Sequence, residues 1–263
     1  MDNLYRNSFM KAKYLGLELA SPVIVSSSPY TASVQNIERC VREGAGDAWI
    51  EYAEAMQAAG AAALELNVFL LPTDRHAGAQ ELEQAYADIV RKVAAAVTVP
   101  VSVKLPMRLT NVLSVGDALL ARGARGVVLY NRFFEPDIDV EKMCFVAGDP
   151  FSEPSELRNV LRSTALCSHA LPQLDVAVST GVHDGEAAVK ALLCGASAVQ
   201  VCTAIHRYGY EAISRIGRFI DEWAGRQGFA SLDEFRGRMD YGSAEGDHYQ
   251  RVQYMKYFPH GVE

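Results

Sequence analysis

The chain has 263 residues, 49 % of them hydrophobic, and a formal charge of −7. That is the size of one (β/α) barrel rather than a small module, and the acidic balance excludes nucleic acid as the main partner. Five cysteines form no CxxC pair or zinc spacing, and no apolar run approaches ~20 residues; these facts exclude a zinc module and a membrane span and make the reducing cytoplasm the expected setting.

In chain order, ASPVIVSSSP predicts a buried strand over 22–27. A helix capped by Ser33 follows over 33–43, and Asp47 opens another that runs to 59. AAALELNVFLL is a strand, followed by a helix over 79–96. VPVSVKLPM is a strand, with a helix over 111–122 and the strand RGVVLYN after it. A long loop, 132–152, leads to a helix over 153–169. DVAVSTG is a strand, 185–194 a helix, and SAVQVCTA the last strand. Helices over 209–226 and 231–238 precede a polar tail.

Apolar strands alternating with helices indicate a parallel sheet covered on both faces. The junctions AAGAAALEL, ARGARGVVL and LCGASAVQV repeat one device, a glycine that ends the helix and small residues that turn the chain into the sheet. This repetition, with no GxGxxG after the first strand, favours a single (β/α)8 TIM-barrel domain over 1–263 rather than an open dinucleotide-binding sheet. Only six strands can be found. The alternation breaks at one place, EGAGD, where a helix passes directly to a helix. A strand–helix–strand block missing after Gly46 accounts for this, so the barrel is expected to lack its second and third strands. A tight αα-hairpin is the alternative.

Chemistry in such a barrel gathers where the strands end. Those ends carry Ser26, Ser27, Asn67, Lys104, Asn131, Ser179-Thr180-Gly181 and Cys202-Thr203. The set is polar, holds one cation and has no metal-ligand cluster, as a cofactor cradle would. Main-chain amides at Thr180-Gly181 and Cys202-Thr203 suit a phosphate, although Gly181 alone could simply make a turn. Lys104, flanked by valine and leucine, is costly in a barrel interior unless an anion or electron-poor ring meets it. It could form a Schiff base, as in an aldolase, stay charged beside a reduced cofactor, or snorkel past the strand end. Asn67 and Asn131 can hold carbonyl and N–H groups of a small-molecule ring. His183 and Asp184 read as the cap of the next helix, and His206 falls near the mouth. No Ser/His/Asp or Cys/His arrangement can be assembled.

The stretches LGLELASPVIVSSSP, ALELN, PVSVKL, GARGVVLYN and STGVHDGEAAVKALLCGASAVQVCTAIHRYG resemble the dihydroorotate dehydrogenase family, most closely its divergent dihydroorotate dehydrogenase-like group. The resemblance implies an FMN-dependent oxidoreductase of pyrimidine biosynthesis that converts dihydroorotate to orotate. It places Ser26, Ser27, Asn67, Lys104, Thr180, Gly181, Cys202 and Thr203 on FMN, with Cys202 where the family has glycine, and Asn67 and Asn131 on the substrate. Leu70 occupies the position of the family's catalytic base, and the lysine of the missing second strand is absent. Cys144, in the loop 132–152, is the one thiol in the region of the family's lid. A non-catalytic shortened barrel is the third reading; its open strand edges invite pairing into a homo-oligomer.

Overall fold

The computed structural model of the chain describes residues 9–26, 53–68 and 70–252. A short antiparallel hairpin comes first, β1 (Ala12–Tyr14) and β2 (Leu17–Leu19), which the sequence reading did not anticipate. Its turn, Leu15-Gly16, has φ of 55° and 78°, the backbone that lets a two-residue turn follow the twist of its strands. β3 (Val23–Val25) then opens the main sheet. After it come α1 (Ala53–Ala58), β4 (Leu64–Asn67), α2 (Ala79–Ala96) and β5 (Val101–Pro106). Next are α3 (Val112–Ala121), capped by the Asn111 side chain, and β6 (Ala124–Asn131). A second antiparallel hairpin, β7 (Pro136–Asp139) and β8 (Cys144–Ala147), lies within the segment expected to be loop. The chain continues through α4 (Leu157–Ala170), β9 (Asp175–Val178), α5 (Gly185–Leu193), β10 (Ala198–Val201), α6 (Thr203–Tyr208) and α7 (Glu211–Gln227).

Six strands form one sheet in the order β3-β10-β9-β6-β5-β4, and every pair is parallel. The first of these strands therefore lies beside the last, and the order then runs back down the chain. A doubly wound sheet starts in its middle and works outward, whereas a barrel closes its first strand onto its last. The sheet is of incomplete TIM-barrel type, with β3 and β4 at its two ends. The junction after Gly46, the helix expected over 33–43 and the first part of that over 47–59 lie outside the described residues.

The strands alternate more than their sequences suggested. Register places Glu65 beside Ser102, Asn67 beside Lys104, and Gln200 beside Ile24. Partners in register share a face, so one face of the sheet carries Glu65, Lys104 and Gln200. The opposite face carries Val23, Val25, Val103 and Val199, which join Val90, Leu119, Val160, Leu192 and Ile216 of the helices in one buried core. At all three repeated junctions the glycine has the expected positive φ, 98° at Gly60, 101° at Gly123 and 102° at Gly195.

Two other elements differ from expectation. The last strand stops at Val201, because the backbone turns at Cys202 into α6. The helix expected over 231–238 is a single 3₁₀ turn, Leu232–Glu234. Among the described residues, no helix is long and apolar enough to cross a membrane.

Candidate active site

A cleft of about 140 Å³ opens where the parallel strands end. Ser26, Asn67, Lys104, Asn131, Ser179, Thr180, Gly181, Cys202 and Thr203 all line it, so six separate strand ends are brought to one place. Ser27 lies outside the described residues. Leu70 packs part-buried against the core and does not line the cleft, and neither does His206, which stacks on Phe151 with ring centroids 3.9 Å apart. Cys144 is exposed on β8, away from the lining, so the hairpin does not deliver its thiol as a base.

The floor of the cleft is a buried network centred on Lys104. Its ammonium donates to Ser26 Oγ at 2.8 Å and to Gln200 Oε1 at 2.9 Å, and lies 3.8 Å from Glu65 Oε1. Gln200 turns its other end to Glu65, with Nε2 donating to Oε2 at 2.6 Å. One amide thus bridges ammonium and carboxylate. Burial pushes the Lys104 amine below its ordinary value of 10.5 and the Glu65 carboxyl above 4.5, while each partner's charge opposes that shift. Of the three protons of the ammonium, two have neutral acceptors inside the protein, which leaves one for a ligand. A lysine held by a carboxylate and two hydrogen bonds is a cation rather than a nucleophile, which argues against the Schiff-base reading.

Glu65 and Gln200 were not singled out from the sequence, though both carried a usable signal. A glutamate in ALELN and a glutamine in SAVQV are as anomalous in an apolar strand as Lys104 is in PVSVKL. Glu65 also stands two residues before Asn67, on the same face.

At the mouth, Asn131 Nδ2 donates to Asn67 Oδ1 at 2.6 Å. The pair keeps both N–H groups of Asn67, one of Asn131 and the Asn131 oxygen available to a ring of alternating donors and acceptors.

The far wall is a strap, residues 150–156, pinned on several sides. Arg132 donates to Phe151 O at 2.6 Å and to Glu156 at 2.7 Å, and Arg207 bonds Glu153 at 2.6 Å. Ser152 meets both neighbouring strand-to-helix turns directly, at Thr203 and at His183. Its amide and hydroxyl reach Thr203 Oγ1 at 3.1 and 3.2 Å, and its Oγ lies 2.8 Å from His183 Nε2. His183 therefore does not share in the cap of α5. Asp184 makes that cap alone, accepting from Ala187 N at 2.8 Å. The serine–histidine pair is one that sequence alone could not assemble, since its members are 31 residues apart and Ser152 has no local signature. It is not a triad: His183 Nδ1 is buried and has no hydrogen-bond partner, so no acid orients the ring. Burial, and then the charge of Arg207, holds His183 below its ordinary 6.5.

The turn between β9 and α5 is shaped by strain and close approach. Thr180 and Gly181 have φ of 77° and 80°, and the Thr180 hydroxyl donates to Tyr130 O at 3.0 Å. A Cβ on Gly181 would stand 2.4 Å from Leu157 N, so only glycine lets the start of α4 approach this closely. The donor set is thus the Lys104 ammonium with amides, hydroxyls and bare main chain, beside the Arg132 guanidinium, which is turned to Phe151 O and Glu156. Among the described residues, no group of three or more His, Cys, Asp or Glu could hold a metal ion. This is the donor chemistry that an uncharged heteroaromatic ring with a phosphate tail requires, and FMN fits it.

Comparison with known proteins agrees with this geometry. Residues 16–223 match the family profile described as dihydroorotate dehydrogenase. A protein of Aeropyrum pernix, described as a dihydroorotate dehydrogenase A (fumarate), is 31 % identical over 230 residues, covering 83 % of this chain and 70 % of that protein. A Streptococcus agalactiae protein of the same description is 35 % identical over 94 residues, 36 % of this chain and 29 % of its own length. The dihydroorotate dehydrogenase (fumarate) of Saccharomyces bayanus is 31 % identical over 112 residues, 39 % and 35 % of the two chains. The chain spans about a third of the streptococcal and yeast proteins in these matches. With strands in barrel order, their ends converging on one cleft, and a profile match that runs from β2 to α7, the chain belongs to the dihydroorotate dehydrogenase family.

Proposed function

We propose that the chain is an FMN-binding oxidoreductase whose substrate is a planar cyclic amide of the dihydroorotate kind. The observation that carries this reading is the Lys104 network, a buried ammonium in the cleft lining, paired with Glu65 and bonded to Ser26 and Gln200 so that one N–H is left over. When bound, FMN supplies a two-electron acceptor for a C–H bond. Ser26 and Lys104 would hold its ring, and the main chain at Thr180-Gly181 and Cys202-Thr203 would hold its phosphate. Lys104 stabilises negative charge that develops at its end of the cleft. Asn67 and Asn131 orient the substrate through their remaining amide groups and fix which carbon faces the cleft. The strap 150–156 covers the phosphate end and excludes water there.

Leu70 accepts no proton, so nothing at that position can assist removal of the second substrate hydrogen. General-base assistance contributes about 10²–10⁴-fold. Turnover of dihydroorotate is accordingly expected to be slower by that order than in a relative with a base.

The test is the absorption spectrum of the purified chain. The reading expects a flavin band, FMN in the supernatant after denaturation, and bleaching by dihydroorotate under anaerobic conditions. A colourless protein that FMN cannot reconstitute would contradict it. A protein that binds FMN but is not bleached would keep the cofactor and reject the substrate.

A further inference from the structure

A second cleft, of about 510 Å³, lies at the other end of the sheet, where the parallel strands begin. It is framed by the hairpin β1–β2, the starts of β6 and β9 and the 3₁₀ turn at 232–234, and it shares no lining residue with the first cleft. Three cations line it, Lys13, Arg125 and Arg236. In a chain of net charge −7 that is a local reversal of sign.

Two acids share the lining, and neither neutralises all three cations. Asp175 is committed to the protein, with Oδ2 accepting from Leu15 N at 2.6 Å and Oδ1 from Ser197 Oγ at 3.0 Å. Ser197 Oγ in turn accepts from Arg236 Nη1 at 2.9 Å, so the carboxylate fixes that guanidinium through one hydroxyl. Asp233 has a side chain 84 % exposed and stands 3.9 Å from Arg236 Nε, a pair that solvent screens. The Lys13 and Arg125 side chains have no ion pair or hydrogen bond among the described residues, and the Gly16 N–H in the hairpin turn has none either. Leu15 is the one apolar side chain in the lining.

We propose that this cleft binds the diphosphate group of a nucleotide-sized small molecule. Guanidinium groups take phosphate oxygens in pairs, and an ammonium adds a point charge. The cations stand on three separate elements around a cleft several times larger than one phosphate, so two linked phosphates are needed to meet them together. The volume falls in the range of small-molecule sites, about 300–1,000 Å³. No aromatic ring lines the cleft for a base to stack on, so the phosphates carry the recognition. Bound there, the ligand ties the hairpin to the sheet.

Isothermal titration of the full chain with inorganic pyrophosphate tests the proposal. At low ionic strength a site should fill with a Kd at or below about 100 µM. ADP should match pyrophosphate within about threefold, and adenosine should not bind. Lys13→Ala and Arg125→Ala should each weaken that site about tenfold, as loss of a charge-assisted hydrogen bond does. Arg218→Ala, exposed on α7 and outside the lining, should leave it within about twofold. Pyrophosphate should also raise the Tm of the wild type and not that of the double variant Lys13→Ala with Arg125→Ala. Both side chains are exposed, and unchanged far-UV circular dichroism would show that the variants remain folded. No binding at fifty times the stated concentration would overturn the proposal. So would an affinity indifferent to Lys13 and Arg125, which would place the anion at the strand-end turns instead. Equal loss from Arg218→Ala, the mark of a diffuse field, or adenosine binding as tightly as ADP would also contradict it.

Discussion

The Lys104 cluster and the Ser152–His183 cluster share one cleft and differ in how far the protein satisfies its own polar groups. Around Lys104 both charges are paired, and Gln200 bridges them with each end of its amide. Around His183 one ring nitrogen is bonded and the other is left without a partner. The first is a finished platform that offers a ligand a single donor. The second is held in place by the strap and can change its protonation. On the proposed reading they would do separate work: the platform would set the electrostatics at the flavin ring, and the strap would lie over the phosphate.

Removing half of the finished cluster should have the largest effect. Lys104→Met leaves Glu65 buried without a counter-charge and is expected to cost about 3–5 kcal/mol in urea unfolding. FMN binding should be lost with it. The double variant Lys104→Met with Glu65→Gln should recover most of the stability and none of the binding, because the buried charge goes and the missing donor does not return. If the single variant were as stable as wild type, Glu65 would not be ionised in the folded protein and the paired platform would be wrong.

Truncation at the mouth should come next. Asn131→Ala removes the donor to Asn67 and one side of the substrate site, an expected loss of about 1–3 kcal/mol in kcat/KM. FMN affinity should stay within about threefold, since neither Lys104 nor the two turns is touched. An equal fall in FMN affinity would show that mouth and floor are one site.

The smallest effect concerns His183 and depends on pH. Burial keeps its folded value below 6.5, so the unfolded chain binds the proton first as pH falls. The contribution to stability is therefore full above pH 6.5 and is lost as pH falls from there toward the lower folded value. His183→Gln should flatten this part of the stability profile, measured by urea midpoint against pH. A profile unchanged by the substitution would mean that His183 does not titrate apart from its surroundings.

Much of this was legible in the residues, for a physical reason in each case. The barrel order follows from strands separated by helices, three of them entered through a glycine with positive φ, at Gly60, Gly123 and Gly195. Lys104 was found because a charge in a buried strand is costly. Glu65 and Gln200 were not, because their strands were read as continuous apolar runs rather than as alternating faces. Ser152 meets His183 only through the path of the strap, which no local pattern encodes. In the sequence the β7–β8 hairpin reads as loop because Pro136 and four acids between 135 and 141 have low strand preference. Yet Phe134, Pro136, Ile138 and Val140 alternate with those acids, and that period of two was the stronger signal.

The central claim is that the turns at Thr180-Gly181 and Cys202-Thr203 receive a phosphate beside the Lys104 platform. Titrating flavin-free protein with FMN and with riboflavin, which lacks the phosphate, tests it most directly. The account predicts that FMN binds about 100-fold more tightly, the value of one or two charge-assisted hydrogen bonds to main chain. Equal affinity for the two flavins, or none for either, would contradict it.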